Sequence, residues 1–275
     1  NFPMKWFVVA LAVCTTASMV FGAWCYHLPE CNYNRWPQIA PKYCDGCRQS
    51  PINIVSSKAT GDPSLGAFTF HGFDSTSAMT KIENTGKTVK VTLAGGVGVE
   101  GGGLSERYDS LQFHLHWGNG ASVPGSEHTV DGKRYPMEVA KTSANMSYNR
   151  YRDSTGLAAL GFLIDVRNYQ TGQPEAWRKL TSYLHNIKLK GQSIAISSAI
   201  TLNQLLSGVD RTKYYRYLGS LTTPTCNEAV VWTNVHIIIT QLTRIQPDQP
   251  VRTQGTAAPH LCTKRGLTLL WFVIT

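Results

Sequence analysis

The chain has 275 residues, enough for one large domain or two small ones, and an ordinary hydrophobic content of 42%. No internal repeat, heptad run or long low-complexity segment is present, which excludes solenoid, coiled-coil and disordered classes. The formal charge is +9. Its lysines and arginines are scattered, with no dense cluster and no nucleic-acid motif, so a solvated basic surface is expected and no nucleic-acid partner.

In chain order, Met4 and Lys5 precede the apolar run "WFVVALAVCTTASMVFGA", which ends in small residues. Residues 1–23 are therefore expected to be a secretory signal cleaved near Gly22 or Ala23, the alternative being a buried helix. Asn1–Pro3 ahead of Met4 read as translated upstream sequence. An irregular lead rich in Pro and Cys runs from Trp24 to Pro51. Strand-like segments follow: "GAFTFHGF", "TVKVTLAG", "SLQFHLHW", "GLAALGFLIDV" and "AVVWTNVHIII". They are short and rich in β-branched or aromatic residues, and Gly, Asn, Asp and Ser mark the breaks. One helix is predicted in "TGQPEAWRKLTSYLHNI", with Pro174 near its first turn and Trp177, Leu180, Leu184 and Ile187 at helical spacing. A shorter one, "TLNQLLSG", stops at Gly208. Strands outnumber helices, so the fold class is β-rich α/β: a single domain, 24–255, around a large sheet with few peripheral helices.

Residues 256–275 follow the order of a GPI-anchor signal, with small residues, a polar spacer and an apolar tail from Leu267 to Thr275. The alternative is an ordinary apolar strand. Of seven cysteines, Cys14 would leave with the signal and Cys262 with the tail. Cys25, Cys31, Cys44, Cys47 and Cys226 remain, which implies two disulfides and one leftover thiol in an oxidising compartment. Cys44 and Cys47 form a C-x-x-C, a spacing also used in redox and zinc sites; with no second such pair, a structural disulfide role is preferred. Asn145 in "NMS" is the candidate glycosylation site.

In "SLQFHLHW", Leu111, Phe113, Leu115 and Trp117 fall on one strand face, expected to be core. Gln112, His114 and His116 fall on the other. Two imidazoles two residues apart can converge on one metal ion. A hydrogen-bonded polar strand explains the pair equally well, so this motif alone leaves both readings open.

The surroundings are more specific. "RQSPINI", "GGGL", "QFHLHWG", "GSEHTVDGKRYPME", "GLAALGFLIDV", "YYRYLGSLTTPTCNEAVVWT" and the opening "WCY" together resemble the α-class carbonic anhydrases. "WCY", Cys44, Cys226 and the anchor-like tail most resemble the extracellular, GPI-anchored type IV members. The resemblance spans about Trp24 to Trp232. It implies a mainly antiparallel twisted sheet, Zn2+ as cofactor, reversible hydration of carbon dioxide to bicarbonate and a proton, and a monomer. It further implies residence at the outer face of the plasma membrane, held by a lipid anchor, or secretion.

By that resemblance His114 and His116 are metal ligands. Thr222 and Glu127 form the catalytic pair that orients the nucleophile. Leu221, Thr223, Ala159 and Trp232 line the substrate pocket, and Tyr26 belongs to its water network. Gln112 and Glu138 support the ligands from behind. His128 matches a buried structural histidine. Cys44 pairs with Cys226 by resemblance and Cys25 with Cys31 by proximity, which leaves Cys47 free.

The sequence departs from the family in three places. The third ligand of an E-x-H stretch is Ala140 in "MEVAKTSANMS", a methyl group with no lone pair, so zinc binding is expected to be weak. Either the ligand is truly lost or the coding sequence carries a local error; the intact surroundings favour the latter. Glu138 is expected to be left without its partner, and could itself serve as a ligand in a shifted register. Lys87 replaces the proton-shuttle histidine, with the pKa of an exposed lysine. After Val235 the family pattern is not recognisable.

Overall fold

The computed structural model describes residues 24–26, 28–119, 123–145, 153–166, 174–197, 199–239 and 271–272. Both proposed targeting segments lie outside these residues, apart from Trp271 and Phe272.

Seven strands carry the site: β1 (Met79–Asn84), β2 (Val89–Leu93), β3 (Tyr108–Trp117), β4 (Met137–Ala144), β5 (Leu157–Val166), β6 (Tyr214–Gly219) and β7 (Val230–Ile239). They lie in the order β1-β2-β3-β4-β5-β7-β6 within a 12-stranded sheet. Pairing along this path is antiparallel except between β5 and β7. The mainly antiparallel sheet expected from the sequence is therefore present. Helices are few and peripheral. Glu175–Ser182 buries Ala176, Trp177 and Leu180, and Leu184 sits in the 3-10 turn that follows. Leu202–Leu205 is capped reciprocally by Thr201 and Gln204.

The central strands are covered on both faces, which explains their near-continuous apolar text. One face packs Val91, Phe113, Leu115, Phe162 and Trp177 into the main core. The other carries a smaller cluster of Ala140, Ala144, Leu157, Ala159, Tyr217, Val230 and Trp232, against which Leu221 packs. Gly161 sits in register with Ala140 on β4 and Asn234 on β7. A β-carbon there would fall 2.2 Å from Asn234 Oδ1 and 3.0 Å from Glu138 Oε1, so only glycine lets the three strands close over that carboxylate.

Strict alternation fails at Leu111, which is 44% exposed while Phe113 and Leu115 are buried. Gln112 pairs with Thr142 but Ser110 pairs with Ser143. Leu111 is the extra residue of a β-bulge, and Ser110 takes the inward place it would have held. Lys141 lies across this bulge, 2% exposed. Its Nζ donates to Ser110 Oγ and, at 3.1 Å, to Ser143 Oγ. Burial pushes its pKa down to about 7.

The disulfides Cys25–Cys31 and Cys44–Cys226 are both formed, the second across a separation of 182 residues. Cys47 is not the free thiol expected: it too is disulfide-bonded. That expectation rested on assigning Cys14 and Cys262 to segments removed from the mature protein. Trp271 and Phe272, inside the segment read as an anchor signal, pair as a short strand with Arg216 and Tyr215 of β6 and with Thr60 and Gly61. Asn145 is 2% exposed and its Nδ2 donates to Glu106 Oε1 at 3.1 Å.

Two outcomes follow from this packing. Replacing Cys44 and Cys226 by Ala should lower unfolding stability by about 2–5 kcal/mol, read from urea midpoints under oxidising conditions. Below pH ~7 Lys141 is protonated in both states and the fold bears the cost of the buried charge. Above it, the folded state sheds a proton that the unfolded state keeps to pH ~10.5, so stability rises with pH. Relative to Lys141→Met, the native chain should gain roughly 3 kcal/mol between pH 6.5 and 9.5.

Candidate active site

β3 and β4 present side chains in register on one face, His114 opposite Ala140 and His116 opposite Glu138. Ladder partners project to the same face, so the two imidazoles and the methyl of Ala140 look into one space. The His114 and His116 rings lie 4.8 Å apart at an interplanar angle of 73°. Gln112 Oε1 lies 3.1 Å from His114 Nδ1. An amide oxygen only accepts, so Nδ1 carries the proton and Nε2 keeps its lone pair. Burial lowers His114 to about 3 and His116 to about 4, leaving both rings neutral near pH 7.

Behind them lies a buried polar network. Glu138 is 0% exposed, yet it is not stranded as the sequence suggested. Its Oε2 accepts from the backbone N–H of Glu127 at 2.8 Å and of His128 at 2.9 Å. Its Oε1 accepts from His128 Nδ1 at 2.8 Å. Burial alone would raise its pKa; His128, by charge and hydrogen bond, outweighs that and holds it at about 2. His128 Nε2 lies 2.6 Å from the Tyr217 hydroxyl, which lies 2.8 Å from Ser50 Oγ. The text of "GSEH" hid this arrangement, because the loop before β4 folds back so that its amides and imidazole meet a carboxylate ten residues later.

Glu127 sits between the network and the cavity. Burial, and next the charge of Glu138, push its carboxyl up to about 8, while a hydrogen bond from Thr222 pulls it down. Its Oε2 lies 3.3 Å from His116 Nε2, close but without hydrogen-bond alignment. Glu127 Oε2 and both ring nitrogens of His116 have no hydrogen-bond partner. Tyr26 is buried nearby, its hydroxyl raised well above its ordinary value by burial and then by Glu127.

Of the expected pocket residues, Ala159, Trp232 and Leu221 pack in one cluster with Ala140. Ala159 pairs with Thr142 on β4 and with Trp232 on β7. Trp232 Nε1 donates to the Ser220 carbonyl at 2.8 Å, which holds the start of the 221–223 loop against the sheet. Thr223 accepts a hydrogen bond at its carbonyl from the Cys226 N–H at 2.8 Å. Lys87 is not the freely exposed lysine expected. Its Nζ lies 3.3 Å from the centre of the Trp24 ring, and burial lowers its pKa. Asn234 went unnoticed in the sequence. It is 1% exposed, and neither amide atom has a partner.

A sequence model described as eukaryotic-type carbonic anhydrase matches residues 31–254. The chain belongs to the eukaryotic-type carbonic anhydrases. It is 38% identical over 215 residues to carbonic anhydrase 4 of Oryctolagus cuniculus, covering 76% of this chain and 68% of that protein. Identity to carbonic anhydrase 12 of Homo sapiens is 36% over 219 residues, with 76% and 58% covered. To carbonic anhydrase 15 of Mus musculus it is 34% over 246 residues, with 85% and 74% covered.

Members of this family are zinc enzymes. A site of that type holds the metal with three protein ligands and an open fourth position. The residues present here do not fit that set. Two neutral imidazoles converge, but the third corner is a methyl group. Among the described residues no three His, Cys, Asp or Glu side chains group to hold a metal ion. Glu138 cannot substitute while it faces His128 and two backbone amides.

Removing the imidazole of His128 by His128→Ala should leave the Glu138 charge buried without its main partner, at about 3–5 kcal/mol of stability. Tyr217→Phe should cost only about 1 kcal/mol. Urea denaturation of both variants checks the ranking.

Proposed function

We infer that this cavity is a carbon dioxide hydration site, converting carbon dioxide and water to bicarbonate and a proton, with one zinc ligand missing. The observation that carries this reading is Ala140, in register with His114 on the ladder where both imidazoles converge. Around that one position the other metal-binding, orienting and pocket groups have their counterparts, while Lys87 stands where the resemblance places a proton-shuttle histidine. His114 and His116 are the metal-binding residues that remain. Thr222, bonded to Glu127, orients the attacking oxygen. Leu221, Thr223, Ala159 and Trp232 shape a small apolar pocket suited to an uncharged linear substrate. Gln112 supports His114, and Glu138 supports the loop carrying Glu127.

The protein acts outside the cell in this reading. Residues 1–23 direct export and residues 256–275 direct lipid anchoring. The disulfides support an oxidising compartment. Among the described residues, no helix is long and apolar enough to cross a membrane.

As it stands the chain holds zinc weakly and turns over slowly. The expected outcome is well under one zinc per chain after dialysis against a mild chelator, and hydration close to the buffer rate. Ala140→His should raise zinc affinity by more than about 100-fold, beyond what losing a mere supporting partner costs. It should bring hydration with it, lost again on adding Thr222→Ala. Zinc content and stopped-flow hydration read both. If Ala140→His takes up zinc without hydrating carbon dioxide, the second reading is favoured: a carbonic-anhydrase-like extracellular binding domain without catalysis, for which Ala140 is the motivating observation.

A further inference from the structure

Arg216 of β6 lines a cleft of about 340 Å3, with Asp62, Ser64, Ser105, Tyr108, Thr155 and Tyr217 among its other lining residues. That volume is within the range of small-molecule sites. Arg216 is only 5% exposed. Its Nε donates to Thr233 Oγ1 at 3.0 Å and its Nη2 to the Gly102 carbonyl at 2.8 Å. The rings of Phe68 and Tyr214 lie 5.8 and 5.7 Å from its Cζ. These contacts fix the guanidinium plane but leave Nη1 with no hydrogen bond to a described residue. Nη1 lies beside Gly103, 3.6 Å from where a β-carbon would stand.

Asp62 is the complementary half. Its Oδ1 accepts from the Ser64 N–H at 2.9 Å and the Ser64 hydroxyl at 2.6 Å. These bonds lower its pKa, with a smaller contribution from the charge of Arg216. Oδ2 makes no hydrogen bond to a described residue. Arg216 and Asp62 thus line one cleft with opposite charges, feel each other's field, and are not paired with each other. A buried guanidinium with an uncommitted donor is a carboxylate-binding group. The acidic group across the cleft disfavours a multiply charged anion and favours a ligand that also carries a cation.

We propose that this cleft binds a small amino carboxylate, its carboxylate on Arg216 Nη1 and its ammonium on Asp62 Oδ2. The site is separate from the histidine cavity and does not depend on metal.

Isothermal titration of the full chain with glycine, β-alanine and γ-aminobutyrate tests it, with acetate and methylammonium as single-charge probes. The three zwitterions differ in charge spacing, so the best of them measures the cleft. The expected result is saturable binding of at least one, about tenfold or more tighter than either single-charge probe. Asp62→Asn, on the exposed rim, should reduce that zwitterion to the affinity of acetate. Arg216→Gln, with folding checked by circular dichroism, should abolish binding of both. No saturable binding of any zwitterion, binding indifferent to Asp62→Asn, or acetate binding as tightly as the best zwitterion would each overturn the proposal.

Discussion

The carboxylate of Glu138 is the fixed point of the site. A fully buried charge is tolerated only where it is fully bonded, and here two backbone amides and one imidazole do that. The demand propagates outward. The amides belong to Glu127 and His128, so the loop before β4 must fold back against the strand. His128 then meets Tyr217, and Tyr217 meets Ser50. One charge thereby ties the lead of the chain, the loop and two strands into a single frame. Glu127 reaches the cavity from that frame, beside His116 and Thr222.

The missing imidazole at position 140 leaves this frame standing. In a site built only from metal ligands, losing one would unravel the others. Here Glu138 is satisfied without any ligand, Gln112 orients His114, and Ala140 joins the apolar cluster of Ala159, Trp232 and Leu221. His116 and Glu127 face each other with polar atoms buried without partners, and a donor-completing change at position 140 would act beside them.

Much of this architecture was legible in the sequence. Period-two text gave β3 its faces, and long motifs gave the family and hence a mainly antiparallel sheet, but not its strand order. The order depends on pairings between distant segments, such as β5 beside β7, that leave no local signature. Leu111 misled because alternation assumes an unbroken ladder, and nothing in "DSLQF" announces the extra residue. Lys87 misled because the cation that sequence rules place in solvent found an aromatic face on Trp24. Glu138 misled because its nearest expected partner was absent in the text while its actual partners lay ten residues back. Cys47 misled because a cysteine count shows how many thiols remain and not which of them are bonded.

The bulge at Leu111 has a wider consequence. The irregularity puts Ser110 opposite Ser143, and these two hydroxyls are the hydrogen-bond acceptors of the Lys141 ammonium group in an otherwise apolar core. A regular ladder would have set a leucine there, leaving a buried amine with half its partners. Deleting the extra residue would therefore strip the lysine of one of its two acceptors, whereas the lysine can be replaced while the two hydroxyls still meet each other at 3.2 Å.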